Sequence, residues 1–196
     1  AEHPSWSPEG RRIVFSSFNM ENFVSKIYII NADGSGLQDT PQEGYQPSWS
    51  PLGNLIALTL QHNIWTMNVD GSNLKFLTME GYNESPSWSP DGKKLVFSSD
   101  GSIAVVSVKT GFITDVFQEK AWCGYPVFSP SGERIAFVSN RGGEYDIWSV
   151  DLDGKNLTRI TQDQAREFSL QWRPDGYIYY LREEKHITTI WKVKAE

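Results

Sequence analysis

Short runs of β-branched and aromatic residues, broken by Gly, Pro, Asn and Asp, recur along the whole chain, and nowhere do apolar residues keep the i, i+3, i+4 spacing of a helix. The runs come four to a unit. From Ser85 onward they are "SPSWS", "KKLVFSS", "SIAVVSV" and "FITDVF", which we label strands a, b, c and d. In strand a the period of two puts Ser87 and Ser89 on one face and Trp88 on the other. Strand b has no polar alternation: Ile13-Val14-Phe15, Leu95-Val96-Phe97 and Ile135-Ala136-Phe137 are apolar throughout. Such runs require burial on both faces, as when one sheet lies between two others.

The unit repeats. "PSWSPEGRRIVFSS" begins at Pro4, "PSWSPLGNLIALTL" at Pro47 and "PSWSPDGKKLVFSS" at Pro86, with weaker copies "PVFSPSGERIAFVS" from Pro126 and "LQWRPDGYIYYLRE" from Leu170. Trp6, Trp49, Trp88, Phe128 and Trp172 then fall in register, separated by 43, 39, 40 and 44 residues. Four strands at a period near forty predict radially stacked sheets, a β-propeller. Between a and b every copy has Pro, one residue, then Gly, as in Pro90 and Gly92, which is the chemistry of a tight hairpin turn. Asp33-Gly34, Asp70-Gly71, Thr110-Gly111 and Asp153-Gly154 mark the c-to-d hairpins. "DLDGKN" from Asp151 looks like a calcium loop but lacks the acidic twelfth ligand, so it too reads as a turn.

The expected fold is all-β: a propeller of about five four-stranded antiparallel blades, forming one domain over 1–196 with units 3–45, 46–84, 85–124, 125–168 and 169–196. The fifth unit ends after strand c, so the last blade should lack its outer strand, with Lys192 and Lys194 guarding the edge. A closed ring is expected, because an unclosed stack would expose the flanks of its end blades; the rival is an arc of a larger propeller. The tryptophan of strand a is the expected wedge between blades.

The string "SPSWSPDGKKLVFSS", taken with segments of the "NVDGSNLKFLT" type, resembles the TolB-like β-propeller repeat, a relative of the WD repeat. The resemblance covers essentially the full chain. It implies a periplasmic or extracellular setting in a prokaryote, where the family's namesake docks a peptidoglycan-associated lipoprotein; no residue-level docking signature for that partner occurs here. Similar repeats also occur in polysaccharide lyases, which use metal-binding histidines near the channel, and beside peptidase domains.

Composition narrows the function. The net charge is -6 with no basic cluster, which argues against nucleic acid. Cys123 is the single cysteine, excluding an internal disulfide or a cysteine-based zinc site, and a buried inert thiol is expected. No apolar run is long enough to cross a bilayer and no signal-peptide pattern opens the chain, so a soluble form, mature or trimmed, is expected. G-x-S-x-G is absent, and His3, His62 and His186 fall in different units without metal-ligand spacing, so no catalytic residue, metal or cofactor is assigned.

Function should lie where the repeats differ. In an antiparallel a-b-c-d blade the b-to-c and d-to-a loops share one face, and this face is the variable one. Its d-to-a loops carry Glu43 and Tyr45, then Glu80, Tyr82 and Glu84, then Trp122 and Tyr125, then Arg166 and Phe168. The b-to-c loops add "SFNMENFVSK" with Phe18, Met20 and Phe23, then Gln61-His62, Asp100, "NRGGEYD" and "REEKH". Aromatics beside charges around a channel mouth suit a protein or peptide partner, with a glycan also compatible. The competing structural role is that these aromatics plug gaps between blades. The reading is a non-enzymatic binding module; the alternative is a propeller enzyme or regulatory domain acting on a polysaccharide or peptide, possibly with a metal.

Overall fold

Each Pro-x-Gly turn closes in the same way. The amides of Gly10, Gly53, Gly92, Gly132 and Gly176 donate to the carbonyls of Ser7, Ser50, Ser89, Ser129 and Arg173 at 2.8 to 3.1 Å. Gly92 sits at φ 68°, where glycine carries no Cβ penalty. A Cβ there would also lie 2.8 Å from Leu52 in the turn of the preceding blade. The Asp-Gly strings are turns as well: Asp70 accepts the amide and hydroxyl of Ser72 at 2.9 and 2.6 Å, and these bonds hold its carboxyl below the usual range.

The computed structural model describes residues 2–162 and 164–195. Blade one is β1 (Glu2–Trp6), β2 (Arg12–Asn19), β3 (Val24–Asn31) and β4 (Gln38–Glu43). Blade two is β5 (Tyr45–Trp49), β6 (Leu55–Leu60), β7 (Asn63–Asn68) and β8 (Lys75–Phe76). Blade three is β9 (Asn83–Trp88), β10 (Lys94–Ser99), β11 (Ser102–Ser107) and β12 (Ile113–Phe117). Blade four is β13 (Cys123–Phe128), β14 (Arg134–Ser139), β15 (Asp146–Asp151) and β16 (Thr158–Arg159). Blade five is β17 (Arg166–Trp172), β18 (Tyr177–Glu184) and β19 (Ile187–Lys194). Every pairing is antiparallel between chain neighbours, so the five sheets form a five-bladed propeller whose last blade has three strands. Among the described residues no helix is long and apolar enough to cross a membrane.

The wedge works as size complementarity between blades. Trp49 is buried among Val14, Ile27 and Ile29 of blade one, and Trp88 among Ala57, Ile64 and Leu77 of blade two. Phe128 is buried with Val96, Ile103 and Val105 of blade three, and Trp172 packs on Ala136, Val138 and Ile147 of blade four. The strand-b position that receives the wedge is small each time: Val14, Ala57, Val96 and Ala136. The serines of strand a contribute as hydrogen-bonding partners: Trp49 donates its amide to Ser5 Oγ at 3.0 Å, and Trp88 Nε1 donates to the Ser48 carbonyl at 3.0 Å.

Blades five and one differ. Tyr179 fills the receiving position of blade five, Lys192 Nζ lies 4.3 Å from the Tyr177 ring centroid, and β17–β19 make no contact with β1–β4 comparable to those between consecutive blades. Trp6 is accordingly 51% exposed where Trp49 and Trp88 are 5% and 7%. Four wedge interfaces join the consecutive blades, and among the described residues none joins blade five to blade one. Lys192 lies on the edge strand, with its Nζ over the Tyr177 and Tyr179 rings of the neighbouring strand.

Cys123 is buried as expected, and burial pushes its thiol up from the ordinary value.

Trp88→Ala is expected to cost about 3–5 kcal/mol in urea unfolding, as a large buried side chain leaving a cavity, whereas Trp6→Ala should cost about 1 kcal/mol or less. Equal losses would remove the wedge assignment.

Candidate functional site

The innermost strand of every blade carries a bulge that the sequence did not announce. Register slips between Glu2 and Ser5, Tyr45 and Ser48, Glu84 and Ser87, Gly124 and Val127, and Phe168 and Gln171. Three residues before each wedge a non-glycine residue takes a left-handed conformation: His3 at φ 49°, Gln46 at 52°, Ser85 at 56°, Tyr125 at 52° and Ser169 at 56°. Such conformations cost on the order of 1 kcal/mol or more each and persist only where surrounding contacts impose them. One contact is visible between blades two and three: Gln46 Oε1 accepts the Ser85 amide at 2.8 Å and the Thr59 hydroxyl at 3.1 Å. A bulge re-aims the side chains beside it, and those beside these bulges include Tyr45, Glu84, Tyr125 and Phe168.

Backbone bonds confirm that d-to-a and b-to-c loops share a face. The Asp100 amide donates to the Tyr82 carbonyl, the Asn140 amide to the Trp122 carbonyl and the Asn83 amide to the His62 carbonyl, at 3.0, 3.3 and 2.9 Å.

On this face four side chains from blades two and three converge. Tyr45 Oη donates to Glu84 Oε1 at 3.0 Å, and His62 Nδ1 lies 3.3 Å from the same oxygen and 3.5 Å from Tyr45 Oη. The Tyr82 ring packs on His62 with centroids 4.5 Å apart, and Tyr82 is 63% exposed. Burial, reinforced by the Glu84 carboxylate, raises the Tyr45 phenol well above the ordinary tyrosine value.

A second group spans blades four and five. Trp122 meets Tyr125 at 6.0 Å and Tyr145 at 5.5 Å, Tyr125 meets Phe168 at 6.4 Å, and the Arg166 guanidinium lies 5.4 Å from the Tyr145 ring centroid. Burial raises the Tyr125 phenol, opposed by Arg166 and helped by Glu84.

Glu43 stands apart. It lines a cavity of about 420 Å³ together with Tyr45, Glu2, His3, Phe18 and Phe23, which places the long first b-to-c hairpin at the site. Burial lowers the His3 imidazole, against the opposing pull of Glu2. Glu80 meets none of the other candidates; its carbonyl accepts from Asn83 Nδ2 at 2.6 Å. His62, which the sequence reads only as an unpaired loop histidine, and Tyr145 of the "NRGGEYD" loop lie outside the expected partner-binding set, yet both join these groups. Their register opposite the d-to-a aromatics is what brings them in. Among the described residues no group of three or more His, Cys, Asp or Glu is arranged to hold a metal ion.

The raised Tyr45 phenol gives a signed pH dependence. Above about pH 10 the unfolded chain loses this proton while the folded chain keeps it, so stability falls as pH rises. Titration at 295 nm of wild type against Tyr45→Phe should show one late-ionising phenol missing from the variant; identical curves would remove the Tyr45–Glu84 bond from the description.

The profile of the TolB beta propeller domain matches residues 2–102 and 99–196, and so nearly all of the chain. "Uncharacterized peptidase YuxL" of Bacillus subtilis is 30% identical over 141 residues, covering 70% of this chain and 21% of that protein. "Tol-Pal system protein TolB" of Anaeromyxobacter dehalogenans is 33% identical over 93 residues, covering 45% of this chain and 21% of that protein. The chain thus spans about a fifth of the length of these relatives. Among solved structures, a putative TolB from Agrobacterium tumefaciens superposes with a TM-score of 0.80 at 20% identity, over 97% of this chain and 76% of that one. With the profile matched across its five repeats, the chain belongs to the TolB β-propeller domain family.

Proposed function

We propose that the chain is a non-enzymatic binding module that recognises a protein or peptide through the variable face of the propeller, in the cell envelope of a prokaryote. The observation that carries this reading is the Tyr45–His62–Glu84–Tyr82 group, which holds a carboxylate and an exposed aromatic ring together at the junction of two blades. Plugging alone does not require a largely exposed Tyr82. Glu84, held by the Tyr45 hydroxyl beside His62 and the exposed Tyr82 ring, favours a partner that presents lysine or arginine, since a cation gains from both a carboxylate and a ring face. Trp122, Tyr125, Arg166 and Phe168 extend the surface across blades four and five.

The kinship with TolB supports an envelope setting and a protein partner. The peptidase in the name of the Bacillus relative belongs to a protein of which this chain matches 21%.

Tyr82→Ala should leave the unfolding midpoint nearly unchanged and weaken partner binding; a stability loss above about 2 kcal/mol would favour a plugging role. Immobilised wild type and a folded variant with Tyr45, Tyr82, Trp122 and Phe168 changed to Ala should differ in what they retain from an envelope extract. A specific protein held by wild type and lost by the variant is the expected result, and equal retention by both would overturn the reading.

A further inference from the structure

The hairpin between β6 and β7 is a two-residue turn of Gln61 and His62, both left-handed at φ 50° and 57°. Consecutive left-handed residues make the type I′ turn of a tight hairpin. Blade three fixes it from the other side, because the His62 carbonyl accepts the Asn83 amide at 2.9 Å. His186 takes the same place in the blade-five hairpin, at φ 64°, and is exposed.

Held in this way, the His62 ring meets one carboxylate and one aromatic face. Its Nδ1 lies 3.3 Å from Glu84 Oε1, and its centroid lies 4.5 Å from that of Tyr82. Glu84 Oε1 also accepts the Tyr45 hydroxyl at 3.0 Å, while Glu84 Oε2 and His62 Nε2 make no hydrogen bond among the described residues. The two side chains are 52% and 39% exposed for His62 and Glu84, so a cation from outside can reach the free oxygen.

A neutral imidazole gives one N–H to this carboxylate and leaves its negative charge in place. A protonated imidazole brings a full positive charge to the same oxygen, and at 4.5 Å it lies within cation–π range of the Tyr82 ring. Carboxylate and ring face are the two features that a lysine or arginine of a partner would use. The imidazolium satisfies both from inside the chain.

The groups that face the imidazole are Tyr45 of β5, Glu84 of β9 and Tyr82 of the loop before β9. Asp100 lies beyond them, its Oδ1 accepting the Tyr82 amide at 3.0 Å. Burial and the Glu84 carboxylate hold the Tyr45 phenol above the ordinary tyrosine value, so it stays protonated at neutral and acidic pH. Among the described residues no lysine or arginine bonds to any of these four. The imidazole is the one side chain in the group of a type that ordinarily changes charge between about pH 5 and 8.

We propose that His62 is an internal competitor for the partner's cation, so that acid releases the partner from Glu84. The inference rests on the reading of the variable face as a binding surface and adds its regulation. Neutral His62 leaves the carboxylate open and protonated His62 occupies it, so affinity falls as pH falls. Linkage makes the effect reciprocal, and a bound cation makes the imidazole harder to protonate.

The probe is an end-capped peptide, Gly-Ser-Lys-Ser-Gly, titrated into the whole chain at constant ionic strength and followed in NMR by the ring signals of Tyr82 and of the three histidines. Wild type should bind it several-fold more weakly at about pH 5.5 than at about pH 7.5. Saturating peptide should move the His62 titration to lower pH and leave that of His186 in place. His62→Asn keeps a residue that tolerates the left-handed turn and cannot take up a proton. Whatever its affinity, this variant should bind equally at the two pH values. Equal binding by wild type at both, a pH dependence retained by His62→Asn, or a His62 titration indifferent to the peptide would each overturn the competition and leave the binding face as read. No binding by wild type at millimolar peptide at the higher pH, or no loss of binding in Glu84→Gln, would remove the cation site itself and the competition with it.

Discussion

The propeller depends on one packing constraint: a large ring from the first strand of a blade must find a small side chain in the second strand of the blade before it. Trp49 over Val14, Trp88 over Ala57, Phe128 over Val96 and Trp172 over Ala136 are four instances of the same fit. Interiors pack near crystal density, so neither partner can be enlarged or trimmed alone without a clash or a void. The apolar second strands of the inner blades are buried on both faces because each such blade presents its own wedge to one neighbour and receives the next blade's wedge on the other side.

From this fit follows the placement of the candidate site. The wedge fixes one end of the innermost strand, and the bulge three residues upstream re-aims the side chains at its other end. Gln46 ties the bulges of neighbouring blades together, so Tyr45 and Glu84 are held by framework contacts rather than by a mobile loop. A carboxylate placed this way is preorganised, which lowers the ordering cost of binding a cation.

Much of this was legible in the chain. The period, the turn residues, the wedge and the absent outer strand all follow from local patterns repeated five times, and repetition turns weak local signals into a firm one. The bulges were not legible, because His3, Gln46, Ser85, Tyr125 and Ser169 share no side-chain chemistry and their left-handed backbone is imposed by the ladder around them. The partner of His62 was not legible for a related reason: Glu84 lies twenty-two residues away and in another blade. Glu80 shows the converse, a charged loop residue that matched the pattern and that the fold leaves apart from the other candidates.

Tyr179 carries a consequence for how such chains change over generations. A unit that both offers a wedge and presents a small receiving side chain can be duplicated or deleted by recombination between repeats, because the new neighbours still fit. A copy of the fifth unit inserted in the middle would present tyrosine where the next ring must enter, and the array would break at that junction. Recombination can therefore exchange the first four units with one another more freely than with the fifth, and one aromatic residue makes the repeats unequal partners.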